Sequence, residues 1–172
     1  MRRILFGMGL ISALLVVLGV GVAYATHSSG QGPNHDFASG TGQFRVQENF
    51  LDFDIHVNAK SGPMGEDPQG HFYFRSAASG VGAADIRGVV TCLRVVGNRA
   101  AIGGEITQAR GDNPFLEVGD GVLIYVADNG EPGTANDGLE LFSQAAPPTV
   151  CPPPGATAPI TGGNYVVHDA TP

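Results

Sequence analysis

The densest run of chemistry-bearing side chains is the segment DNGEPGTAND. Asp128, Asn129, Glu131, Asn136 and Asp137 place three carboxylates and two amides within ten residues, with Asp120 and Glu140 close in sequence. Calcium takes six to eight oxygen ligands, and carboxylates with Asn carbonyls in a Gly-rich loop supply that donor type. The spacing is not that of an EF-hand. Asn-Gly and Pro-Gly are also strong turn formers, so a plain turn is the competing reading of the same residues. Calcium is therefore the one cofactor the composition suggests, and the base expectation is no cofactor.

Three further constellations carry weaker signals. Asp52, Asp54 and His56 alternate along one stretch, and His71 follows on the next. Same-face neighbours on a strand stand about 6.6 Å apart, so a metal would have to sit between two strands; a solvated sheet face explains the alternation without one. Arg110-Gly111-Asp112 is a short tripeptide that an adhesion receptor reads when it stands on an exposed loop, and ordinary loop charges explain it as well. No G-x-S-x-G elbow, H-E-x-x-H helix or phosphate-binding Gly-rich loop is present. His56, His71 and His168 are available imidazoles, but nothing selects a nucleophile. With no Trp and four Tyr (Tyr24, Tyr73, Tyr125 and Tyr165), a sugar-stacking platform is thinly supplied.

The segments that must position these groups follow from composition. Gly supplies 26 of 172 residues and Pro another 12, which disfavours helical bundles and coiled coils. Met1-Arg2-Arg3 precedes an apolar run from Ile4 to Val22, and Ala23-Tyr24-Ala25 is an A-x-A cleavage pattern. Residues 1–25 are thus expected to be a signal peptide, with an uncleaved membrane anchor as the alternative, and the rest is placed outside the cytoplasm. Losing Arg2 and Arg3 takes the net charge from −7 to −9. Such a domain repels phosphate backbones and anionic lipid, so neither nucleic acid nor a membrane surface is an expected partner. In an oxidising compartment the two cysteines, Cys92 and Cys151, are expected to pair.

Residues 26–36 form a small polar leader, and 37–172 one domain. Leu51, Phe53, Ile55 and Val57 alternate with Asp52, Asp54, His56 and Asn58, the period-two pattern of a half-buried strand. Phe72 and Phe74 alternate with His71, Tyr73 and Arg75. For inward residues to face each other across this pair, opposed residue numbers must sum to 127 or 129. Further strands are predicted over 88–96, 99–107, 122–127, 139–142 and 165–168, with Gly97-Asn98 as a two-residue hairpin turn. The segment APPTVCPPPGATAP is expected to lack regular structure. Seven to nine short strands and no long amphipathic helix make an antiparallel β-sandwich or barrel.

Four segments carry a resemblance: GHFY (70–73), VTCLRVVGNRAAIGG (90–104), VADNGEPG (126–133) and GNYVVHDA (163–170). They resemble the recurring pattern of the uncharacterised secreted bacterial β-domains of the post-COAP type. The resemblance spans about residues 40–170 and implies export and a β-rich fold, with no reaction, ligand or site residue to carry over. The expectation is an exported, non-enzymatic β-sandwich domain with a structural or binding role, its partner an extracellular protein or a surface polymer. The alternatives are a calcium-dependent adhesion or matrix module using 128–137, and a small secreted hydrolase.

Overall fold

The computed structural model describes residues 34–46, 51–76, 83–111, 116–130 and 137–170. The expected signal peptide and most of the leader lie outside these residues. The fold is all-β, as expected. Among the described residues nine strands form one antiparallel sheet: β1 (Asp36–Val46), β2 (Leu51–Ser61), β3 (Gln69–Ser76), β4 (Ala84–Val96), β5 (Arg99–Gly111), β6 (Gly121–Ala127), β7 (Gly138–Gln144), β8 (Ala158–Pro159) and β9 (Gly162–His168). Neighbouring strands are neighbours in sequence from β1 to β8, and β9 returns to pair with β1. Strands β8 and β9 therefore stand at opposite ends of the sheet, yet Pro159 and Gly162 are separated by only two residues. Such a link spans at most about 11 Å at 3.8 Å per Cα step, so the sheet has to curl into a half-barrel with its ends close together.

The expected elements recur with longer bounds. Several strands are not short: β1 and β2 have 11 residues, β4 and β5 have 13. Ile55 faces Phe74, Val57 faces Phe72, Asp54 faces Arg75 and His56 faces Tyr73. This is the sum-129 register, which sends Ile55, Val57, Phe72 and Phe74 into the core together. Val96 pairs with Arg99 across Gly97-Asn98, and Gly97 alone of the two turn residues has positive φ, 60°. That fits a type II′ turn, whose first position needs glycine.

Two corrections concern the ends of the sheet. Asp36, assigned above to the leader, is the first residue of β1 and is buried. Ala158 and Pro159, expected to be irregular, make a two-residue edge strand beside β7, where a proline does no harm.

The inner face carries the main core, from Ile55, Phe72, Ile86, Ile102, Ile124 and Leu139 around to Tyr165. Tyr165 is among the largest fully buried side chains. Its hydroxyl donates to the Ile55 carbonyl at 2.9 Å, so the side chain crosses from β9 over β1 to β2. A Cβ on Gly42 would stand 2.6 Å from the Tyr165 ring and hydroxyl; glycine there is what lets the tyrosine lie flat. Burial, with the Asp137 carboxylate adding to it, holds this hydroxyl well above the usual phenol range.

A second, smaller core lies on the outer face. A bulge at Thr91 interrupts the β4–β5 register between Val90 and Cys92. Val90 and Leu93 thus both face the main core, and Cys92 turns outward to join Ala101, Cys151 and Tyr125. The proline-rich segment 145–157 covers this cluster as a strap. Cys92 and Cys151 are bonded, with α-carbons 5.5 Å apart, and the Thr91 hydroxyl donates to the Pro148 carbonyl at 2.6 Å. A Cβ on Gly103 would collide with Cys92 Sγ and Pro148, so glycine lets the strap close on the sheet.

Candidate functional site

Antiparallel winding brings Asp36, Ser61, Gln69, Val96, Arg99, Ala127, Gly138 and His168 to one rim of the half-barrel. The acidic residues at this rim divide by what their oxygens do. Asp137 is 1% exposed. Its Oδ2 accepts the Tyr165 N–H at 2.7 Å and its Oδ1 the Asn129 N–H at 2.9 Å. Asp128 Oδ2 accepts the Val167 N–H at 3.1 Å, and its Oδ1 the Gly130 N–H at 3.2 Å. Strand β9 is the end of the sheet, so its outward N–H groups at 165 and 167 have no strand to meet and take carboxylates instead. Asp169 Oδ2 accepts the Gly97 N–H at 2.6 Å, and Asp36 Oδ1 the Ala170 N–H at 2.8 Å. The Asn98 side chain holds the same region by donating to the Asp128 carbonyl and to Asn129 Oδ1.

Four aspartates thus stitch the C-terminal segment to the rim. Of the residues expected to form a calcium loop, Asp128, Asn129 and Asp137 come together here as backbone acceptors and their neighbours, while Glu131 and Asn136 lie outside the described residues. Among the described residues no group of three or more His, Cys, Asp or Glu is placed to hold a metal ion.

The other expected constellations are placed as follows. Asp52, Asp54, His56 and His71 stand on the outer face, on β2 and β3. The His56 and His71 rings are 6.0 Å apart, and His56 Nδ1 is 2.9 Å from Thr41 Oγ1. With Tyr73 and Arg87, whose guanidinium lies 5.3 Å over the Tyr73 ring, they line a shallow hollow of about 300 Å³. Arg110 and Gly111 are the last residues of β5, with Arg110 opposite Asp85, rather than part of a free loop; Asp112 lies outside the described residues.

One further hollow is one the sequence did not signal. A groove of about 460 Å³ opens at the rim, between the β2–β3 connection, the end of β4 and the strap. Met64, Leu93, Val95, Val96 and Val150 supply its apolar walls, and Asp36 lines it. Met64 and Val150 are 80% and 81% exposed, and Val96 is 53% exposed, whereas Asp36 is 3% exposed. Exposed apolar side chains that share one hollow with a buried carboxylate are a combination found at binding sites.

Asp36 is held at a cost. Burial pushes its carboxyl above the ordinary range, and the nearby charges of Asp169 and Glu66 push the same way; the Ala170 N–H and His168 pull against them and lose. The folded state therefore favours the protonated acid. The penalty is absent at low pH and grows as pH rises through the carboxylate range. Asp36→Asn, which keeps an oxygen for the Ala170 N–H, is expected to raise the melting temperature at about pH 7 and leave it unchanged at about pH 3. A lower melting temperature at neutral pH contradicts this account of Asp36.

Searches for similar proteins return no match among protein families, curated proteins or solved structures.

Proposed function

We propose that this chain is an exported, non-enzymatic binding domain that works at the cell surface or in the surrounding medium, with the rim groove as its docking site. The observation that carries the reading is the pairing of large exposed apolar side chains with the buried Asp36 carboxylate in one groove. The exposed apolar groups gain nothing from water, and the cost of burying the carboxylate is only partly offset by its Ala170 hydrogen bond. One fact is compatible with life outside the cytoplasm: the cysteines are paired.

The test uses the purified, fluorescently labelled protein added to washed cells of the organism that makes it. Saturable binding, competed by unlabelled protein, is the expected result. Recovery of the native protein in the cytoplasm with two alkylatable thiols, or labelled protein that never binds cells or their extracellular matrix, would overturn the proposal.

A further inference from the structure

The groove has a second property beyond its apolar walls. Strand β4 runs past the start of β3: the β3–β4 ladder extends from Ala84 only to Val89, while β4 continues to Val96 with β5 on its other side. At Leu93 the β2–β3 connection comes up to the edge of β4, and beyond it Arg94–Val96 line the groove. Gly65 packs against the Leu93 carbonyl, and the connection then closes on itself through Gly62 N–H to Glu66 O and Gly65 N–H to Gly62 O. Among the described residues, Arg94–Val96 thus have a strand partner on one side only. An unpaired strand edge is a template for an added extended segment, whose main chain supplies affinity and whose alternate side chains fill pockets.

The pockets beside this edge define the chemistry of the guest. Leu93 and Val95 face inward, while Arg94 and Val96 face the strap side. Met64 and Val150, exposed and apolar, line the same groove. The Asp36 carboxylate stands in the groove wall with one oxygen committed to Ala170, and Glu66 and Asp169 are close enough to act on it electrostatically. Arg94 is the one cation among the lining residues, on the outer face. The rim end of the groove is therefore acidic, in a chain of net charge −7, and the remainder is apolar.

Resting on the binding role proposed above, we infer that the groove accepts a short extended segment of an extracellular protein, added beside Arg94–Val96, with a lysine or arginine reaching Asp36 and apolar side chains against Met64, Val96 and Val150. A strand edge favours a peptide over a sugar polymer, because only a peptide main chain matches its alternating donors and acceptors. The buried carboxylate favours a basic guest over an acidic one.

Selection of a displayed library of random heptapeptides against the purified, disulfide-bonded chain tests this. Enriched sequences are expected to carry Lys or Arg flanked by apolar residues. As synthetic peptides, they should bind Val150→Lys and Asp36→Asn about tenfold or more weakly than the parent. Val150 is largely exposed, so Val150→Lys should keep the parent's melting temperature, and a folded variant makes the loss interpretable. Enriched peptides without a basic residue, binding indifferent to both substitutions, or no enrichment at all would overturn the inference. Saturable cell binding that persists unchanged in Val150→Lys would overturn it too, while leaving the broader binding role intact.

Discussion

Replacing Asp137 with alanine is expected to remove about 3–5 kcal/mol of folding stability. The carboxylate is buried and each of its oxygens accepts one backbone N–H, from Tyr165 at 2.7 Å and Asn129 at 2.9 Å. A hydrogen bond to a charged group contributes about 1.5–3 kcal/mol, and a buried donor left without a partner forfeits its desolvation cost as well. The effect is larger than one contact suggests because Asp137 joins the two ends of the sheet. Its own carbonyl accepts the Ile160 N–H at 2.9 Å, so both the β8–β9 link and β9 are anchored to it. Asp137→Asn should fall between wild type and alanine, since its amide keeps one oxygen and loses the charge. Urea unfolding read by circular dichroism gives the comparison, and a loss below about 1 kcal/mol for the alanine variant would show that the stitch is unimportant.

Removing the disulfide is expected to cost about 4 kcal/mol, the chain-entropy value for a loop closed across 59 residues of sequence separation. Against a total of about 5–15 kcal/mol for a domain of this kind, this is a large share. The double substitution Cys92→Ser with Cys151→Ser isolates it. The loss has a local signature, because the bond ties the strap to the sheet. Without it, residues 145–157 retain the Thr91–Pro148 hydrogen bond but lose their covalent anchor over Ala101 and Tyr125. Cleavage within the strap by a protease of broad specificity should become fast under native conditions, while the nine-stranded sheet keeps its circular dichroism. A variant as stable as the parent, with a strap that still resists cleavage, contradicts the account.

What could be read from the sequence, and what could not, follows from how local each signal is. Strand β2 alternates strictly, so its faces were legible and its register against β3 was narrowed to two alternatives, of which the structure takes the one with Asp54 opposite Arg75. The Gly97-Asn98 turn and the Cys92–Cys151 pairing were legible for the same reason, since each depends on residue type and compartment rather than on distant geometry. Strand β1 was not. Its inward positions include Asp36, Ala38, Gly40 and Gly42, small or charged residues that accommodate Tyr165 and leave little hydrophobic period. The bulge at Thr91 was equally silent: counted by strict alternation, Cys92 falls on the same face as Val90, and only the bulge turns it toward the strap.

The acidic segment shows the limit most clearly. Asp128 and Asp137 attract attention as cation ligands because they sit among Asn and Gly. Their partners are backbone N–H groups 39 and 28 residues further along the chain, which no local pattern reveals. Asp128 and Val167 meet at one of these contacts, which ties both to closure of the rim. The groove was invisible for a related reason. Its walls come from β1, the β2–β3 connection, β4 and the strap, and Asp36, the buried acid in it, looks from sequence like the end of a polar leader.

Backbone amide hydrogen exchange at Tyr165 and Val167, measured residue by residue by NMR, tests most directly the claim that aspartate carboxylates hold the last strand. Both N–H groups lie on the outer edge of the terminal strand, where an amide without a partner exchanges freely. The account predicts strong protection at both positions in the parent, lost selectively at Tyr165 in Asp137→Ala and at Val167 in Asp128→Ala, under conditions where the central strands β4 and β5 remain protected. Free exchange at Tyr165 and Val167 in the parent, or protection that survives both substitutions, would contradict it.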